Sequence, residues 1–136
     1  MFQIDAMSRT PVYEQLIGQM EKFILSGVLK PGEQIPSVRG LSLELTVNPN
    51  TILKAYGDLD ARGLIRSVPG RGYFVCENAY EVLRTRQTEH LKELRLELVG
   101  MALAGIERET VLRCVDDAYE RAEKIRRRET EENDCD

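Results

Sequence analysis

Apolar side chains recur along the chain first at helical spacing, then in two short runs, then at helical spacing again. Val12, Leu16, Met20 and Phe23 stand four, four and three residues apart, which puts one apolar face on a helix. Thr10-Pro11 opens it, with threonine as N-cap and proline at the first helical position, where its missing N–H would be an orphan anyway. Ser26-Gly27 ends it, and Lys30-Pro31-Gly32-Glu33 reads as a turn. Ser37 caps a second, short helix with Val38, Leu41 and Leu45 inside. After a tight turn at Thr46-Val47, Asn48 caps a third helix and Pro49 takes its first position. Ile52, Ala55, Tyr56 and Leu59 form its inner face, Asn50, Lys54, Gly57 and Ala61 its outer face, and Gly63 closes it. Residues 64–68 and 73–76 are the strands of a hairpin whose turn is Pro69-Gly70-Arg71-Gly72.

From Asn78 onward the period is helical throughout. Asn78 with Glu81 three residues on resembles a capping box, so a long helix begins near Ala79. Leu91, Leu94, Leu98 and Met101 form a coiled-coil-like seam, which Gly105 breaks. A second long helix carries Val111, Val115, Ala118, Ala122 and Ile125 at spacings of four, three, four and three. Glu109→Arg113, Asp117→Arg121 and Glu120→Lys124 are i,i+4 pairs on its exposed faces, and Arg126, Arg127 and Arg128 suit its C-terminal end. The last eight residues, mostly acidic, read as a frayed tail. The expected architecture is mainly α with a small β-hairpin wing: a winged helix-turn-helix over residues 1–77, an antiparallel two-helix dimerisation element over 78–128, and an acidic tail over 129–136.

Composition removes several classes of function. At 136 residues, 42% apolar and 31% charged, the chain reads as globular, with room for one small domain and an accessory element. Its longest apolar stretch is far too short to span a bilayer, and the N-terminus lacks a secretory pattern, so a cytoplasmic location and no membrane partner are expected. Cys76, Cys114 and Cys135 are an odd, dispersed set, which argues against a disulfide framework and against a metal site. His90, the single histidine, lies near the apolar seam with no second histidine to share a ligand. No catalytic constellation and no cofactor site is legible.

A helix, a short helix, a tight turn and another helix, followed by a hairpin, is the arrangement that puts the third helix into the major groove of DNA. The outer face of that helix has to be polar and unbulky. Asn50 can pair with adenine, and Lys54 can reach guanine or a phosphate. Asn48 and Thr51 lie at the helix start, where N–H groups favour an anion. Arg39 sits in the first turn of the second helix, and Arg71 projects from the hairpin tip toward a phosphate or a narrow minor groove. Each residue also has a plainer use: Asn48 as a cap, Lys54 and Arg71 as solvated charges.

The net charge of −4 runs against a DNA partner. Residues 1–78, however, carry eight basic and eight acidic side chains, so the acidity belongs to residues 79–136. Within residues 37–72, Arg39, Lys54, Arg62, Arg66 and Arg71 outnumber Glu44, Asp58 and Asp60, and local sign governs the encounter with phosphates. Two rivals remain open on pattern alone: an enzyme, for which the chain is short and lacks a constellation, and a protein-interaction module that kept the fold.

The run from Gly27 to Arg39, including Pro31-Gly32-Glu33 and Pro36-Ser37-Val38-Arg39, resembles the signature of the GntR family of bacterial regulators. So do Asn50-Thr51-Ile52-Leu53-Lys54-Ala55-Tyr56 and Gly70-Arg71-Gly72-Tyr73-Phe74-Val75. Phe2-Gln3-Ile4-Asp5, Pro11-Val12-Tyr13-Glu14-Gln15 and Val47-Asn48-Pro49-Asn50-Thr51 are similar to its YtrA-like subfamily. The resemblance implies a DNA-binding transcription regulator and no enzyme. It implies DNA contacts at Arg39, Asn50, Thr51, Arg71 and Gly72; the reading of the residues themselves adds Asn48 and Lys54, with Ser37 beside them at the start of the second helix. The expected partner is double-stranded DNA with a pseudo-palindromic operator. Pro49 stands where many members carry an arginine, and Gly40 where a glutamate follows the motif arginine. The resemblance further implies repression of the regulator's own operon, often one encoding an ABC transporter, relieved by an effector. Two helices cannot bury their own seams, so a homodimer through Leu91, Leu94, Leu98, Met101, Val111, Val115, Ala118, Ala122 and Ile125 is expected, with a small-molecule effector at its interface.

Overall fold

The structure, a computed structural model, describes residues 1–134. Cys135 of the cysteine set lies outside the described residues, as does the end of the expected tail. Contacts divide the chain into one unit spanning residues 1–83 and a second spanning 84–136. The expected boundary at residue 77/78 differs because Ala79 and Leu83 are buried in the first unit's core.

In the first unit, α1 (Val12–Ser26) buries Leu16, Ile17, Met20, Phe23 and Ile24. Its start corrects the sequence assignment. Pro11, not Thr10, is the N-cap, and its carbonyl accepts from the N–H of Gln15 at 3.1 Å. Thr10 contributes its carbonyl, which accepts from the Gln15 amide at 2.8 Å. That amide and the one a turn later organise the N-terminal segment. Gln15 accepts from Asp5 N–H at 2.9 Å and donates to the Asp5 carbonyl at 3.0 Å. Gln19 exchanges the same pair of bonds with the backbone of Gln3. Two side-chain amides one turn apart thus satisfy an arm that has no strand partner. Phe2, carried by that arm, packs edge-on against Phe23 with ring centroids 5.3 Å apart.

Two helices follow, α2 (Val38–Leu45) and α3 (Pro49–Ala61). The turn between them is made by Thr46, which adopts left-handed φ 54° and lets the N–H of Val47 return to the carbonyl of Ser42 at 3.1 Å. The inner face of α3 is buried as its spacing predicts: Ile52, Ala55, Tyr56 and Leu59 are at most 1% exposed. Gly63, at φ 80°, closes α3 by donating to the Asp60 carbonyl while Leu64 donates to Leu59.

The sheet has one strand more than the sequence pattern announced. The hairpin strands are β2 (Ile65–Val68) and β3 (Gly72–Val75), and a two-residue strand, β1 (Gln34–Ile35), pairs antiparallel with the far side of β3. Strand order is therefore β1-β3-β2. Two residues are too few for an alternation to register.

The remaining helices are α4 (Ala79–Glu89), α5 (Leu91–Leu103) and α6 (Arg108–Asp134). The single long helix expected from Ala79 is interrupted at His90, whose N–H bonds to the Gln87 carbonyl three residues back. Gly105, at φ 80°, ends α5 as expected, with Ile106 donating to the Met101 carbonyl. The expected frayed tail is corrected for residues 129–134, which continue α6. Six of the seven residues from 126 to 132 are Arg or Glu, both good helix formers, and Arg127 pairs with Glu123 at 3.1 Å. The arginine run therefore lies inside the helix rather than at its end. Of the three i,i+4 pairs expected, Glu120–Lys124 closes to 3.5 Å. Among the described residues of this unit no side chain is buried. Leu91, Leu94, Leu98, Met101, Val115, Ala118 and Ala122 are exposed, and Val111 and Ile125 are half-buried. No helix of the described residues is long and apolar enough to cross a membrane.

Candidate nucleic-acid interface

The first unit presents one polar face on α2, α3 and the wing. Ser37 caps α2, its hydroxyl accepting from the N–H of Gly40 at 2.9 Å. A glycine at that position weakens helix propensity, yet the cap forms. Arg39, two residues past the cap, is exposed. Asn48 caps α3 by accepting from the N–H of Asn50 at 2.8 Å. That oxygen is engaged in the cap, which leaves its second lone pair and the amide nitrogen of Asn48 to meet DNA. Thr51 is half-buried, whereas Asn50, Lys54, Gly57 and Ala61 are exposed on the outer face.

Lys54 is held rather than loose. Its ammonium sits 3.8 Å from the ring centroid of Tyr13, in the first turn of α1. The Tyr13 hydroxyl in turn donates to Glu14 at 3.2 Å, and that bond raises the phenol's pKa, keeping the ring neutral beneath the cation. Sequence reasoning missed Tyr13, because its distance from Lys54 along the chain leaves no periodic signal.

The wing tip is set from below. Arg71 is exposed, its N–H donating to the Val68 carbonyl at 2.9 Å across the turn. Its own carbonyl accepts from the side-chain amide of Gln34 on β1 at 2.8 Å. Gly72, at φ 116°, makes room for that amide: a Cβ there would stand 2.9 Å from the Gln34 nitrogen. Gly72, expected among the DNA contacts, thus also has a packing role. Gln34 was missed for the same reason as β1.

The positive excess of two over residues 37–72 survives when the internal ion pairs are removed. Arg62 is held by Glu21 on α1 at 3.0 Å and by Asp58 at 2.6 Å, where it ties α1 to α3. Setting that cluster aside leaves Arg39, Lys54, Arg66 and Arg71 against Glu44 and Asp60. Beneath the face, Tyr56 donates to the Pro36 carbonyl at 2.7 Å and meets Tyr73 edge-on at 4.9 Å. Burial raises the Tyr56 pKa far above the ordinary phenol value, so the hydroxyl stays a donor that pins the start of α2 to α3. Burial also raises the half-buried Cys76 thiol, which makes it a poor nucleophile. Among the described residues no cluster of His, Cys, Asp or Glu could hold a metal ion.

Known proteins share this layout. The family described as bacterial regulatory proteins, gntR family, matches residues 12–75. The HTH-type transcriptional repressor YtrA of Bacillus subtilis is 43% identical over 110 residues, covering 80% of this chain and 85% of that protein. A crystal structure of a transcriptional regulator from Oenococcus oeni is 34% identical and superposes with a TM-score of 0.67, covering 87% of this chain and 99% of the other. YtrA from Sulfolobus acidocaldarius, a GntR-family transcription factor, is 27% identical at a TM-score of 0.54, with 88% and 97% covered. These relatives are transcription regulators, not enzymes. With a winged helix-turn-helix whose polar face is built from the motif residues, and a match along most of a YtrA repressor, this chain belongs to the GntR family of DNA-binding transcription regulators.

Proposed function

We propose that the protein is a cytoplasmic repressor that occupies a pseudo-palindromic operator as a homodimer. The observation that carries the DNA reading is the outer face of α3, where Asn50 and Lys54 are exposed beside the small residues Gly57 and Ala61. Such a face enters a major groove without steric conflict. Arg39 and Arg71 flank it as phosphate or minor-groove contacts, with Ser37, Asn48 and Thr51 at the helix starts. Repression is taken from the likeness to the repressor YtrA, and control of the protein's own operon, a transporter operon, rests on the family resemblance alone.

Within residues 84–128, α5 and α6 form the antiparallel dimerisation element, docked on its counterpart in a second copy. Support comes from α5. Leu91, Leu94, Leu98 and Met101 are 36–53% exposed there, and Leu96 and Leu103 more so. Although Lys92, Glu93, Arg95 and Glu97 stand between them, these apolar residues form a seam that gains stability when a partner helix covers it. The dimer then spans half-sites about 34–36 Å apart, or a multiple of that. An effector in the dimer interface releases DNA by changing the separation of the wings, for which a few kcal/mol of differential affinity suffices. A shallow groove lined by Leu96, Gly100, Met101 and Ile106 borders that seam.

The test is a mobility-shift titration on the DNA upstream of the protein's own gene. A sequence-dependent, salt-sensitive shift is expected. Its absence favours the protein-interaction module, the reading that the net charge of −4 supports.

A further inference from the structure

We infer that Leu53 is a specificity residue, reading a thymine methyl group in the major groove. The inference rests on the DNA reading above. Leu53 lies on α3 and is 51% exposed, whereas the large apolar residues Ile52, Tyr56 and Leu59 of the same helix are buried almost completely. On a helical wheel Leu53 falls about 60° from Asn50 and about 40° from Gly57, on the flank away from Lys54.

The case is one of elimination among the side chains at the start of α3. Base edges are met by the N-terminal residues of a recognition helix. Asn48 is oriented by its bond to the Asn50 N–H as the helix cap, Pro49 has no donor, and Thr51 is half-buried. Lys54, its ammonium over the Tyr13 ring, lies on the other flank of Asn50 and serves a phosphate there. Gly57 and Ala61 have too little side chain to reach outward. Asn50 and Leu53 are left, one polar and one apolar, on adjacent parts of the same exposed face. An apolar side chain at a base edge has one favourable partner, the C5-methyl of thymine, and it leaves the donors of cytosine and adenine unpaired. Asn50 and Leu53 together would therefore read adjoining base pairs, with thymine at the position Leu53 meets.

Deoxyuridine differs from thymidine only by that methyl group, so the full-length protein can be tested on an operator recovered by selection of bound fragments. Each thymine of a half-site is replaced in turn. At one position the wild-type protein is expected to bind about fourfold more weakly, the effect of withdrawing one methyl group from an apolar contact. Leu53→Ala is expected to bind thymine and deoxyuridine there equally, and Leu53→Met to restore the preference. Both variants change an exposed side chain, and an unchanged circular dichroism melt verifies the fold. Losses on deoxyuridine that persist at full size in Leu53→Ala, or no loss at any thymine, overturn the assignment while the regulator reading stands. Failure to recover any preferred fragment overturns both.

Discussion

The two units of this chain handle apolar side chains in opposite ways. The first places nineteen of them below 10% exposure in one cluster running from Phe2 to Leu83. The second leaves Leu91, Leu94, Leu96, Leu103 and Tyr119 more than half exposed and buries none among its described residues. The first unit is thus complete in itself, because its core already collects the transfer free energy of burial. The second has the same raw material without a closed core. Periodicity alone does not distinguish the two cases, since a seam is written the same way whether its partner lies in the same chain or in another.

Core truncation gives the widest separation between the units. Leu59→Ala should cost about 2–5 kcal/mol in urea unfolding, because Leu59 is fully enclosed. Leu103→Ala, at 84% exposure, should stay within about 0.5 kcal/mol in dilute protein. Equal costs would dissolve the contrast. Next in size is the double substitution Leu94→Asp with Leu98→Asp. If the proposed dimer forms through this seam, the substitution should leave monomer by light scattering and lower operator affinity about 100-fold, the contribution of linked half-sites. The melt of the first unit should survive, and coupled loss of that melt would show that the units are not independent. Arg39→Ala should weaken operator binding about tenfold with the dimer intact, as expected for one charge-assisted contact. Unchanged affinity would remove Arg39 from the interface. The smallest effect is assigned to Gln34→Ala. Operator binding should fall about threefold in the wild type and not at all in an Arg71→Ala background, because the amide acts only by placing Arg71. An additive loss would assign Gln34 a role of its own.

What could be read from the sequence was whatever its local chemistry writes directly. Ser37 and Asn48 are caps, and the bonds they were expected to make are present. Ile52, Ala55, Tyr56 and Leu59 announce a helix face by spacing, and Gly63 and Gly105 announce helix ends by their tolerance of positive φ. Contacts between residues remote in the chain left no such trace. Lys54 on Tyr13, Arg62 on Glu21, Gln34 on the wing tip and the clasp of Gln15 and Gln19 on the N-terminal arm are each polar residues whose partners only the fold selects. The contribution of Thr10 was misjudged because proline at a helix start fits the cap as well as the first turn. The tail differs from its expectation because acidic composition suggests fraying, whereas an arginine block followed by glutamates, both good helix formers, extends the helix.

The amide of Gln34 grips the main-chain oxygen at position 71, not the arginine side chain. Every amino acid offers that oxygen. Position 71 can therefore exchange its side chain in the course of evolution while the tip keeps its place, provided that Gln34 and Gly72 are retained together. A lineage diversifying its target sites would find in this arrangement a mount onto which different wing-tip residues can be fitted one substitution at a time, without reshaping the blade that carries them.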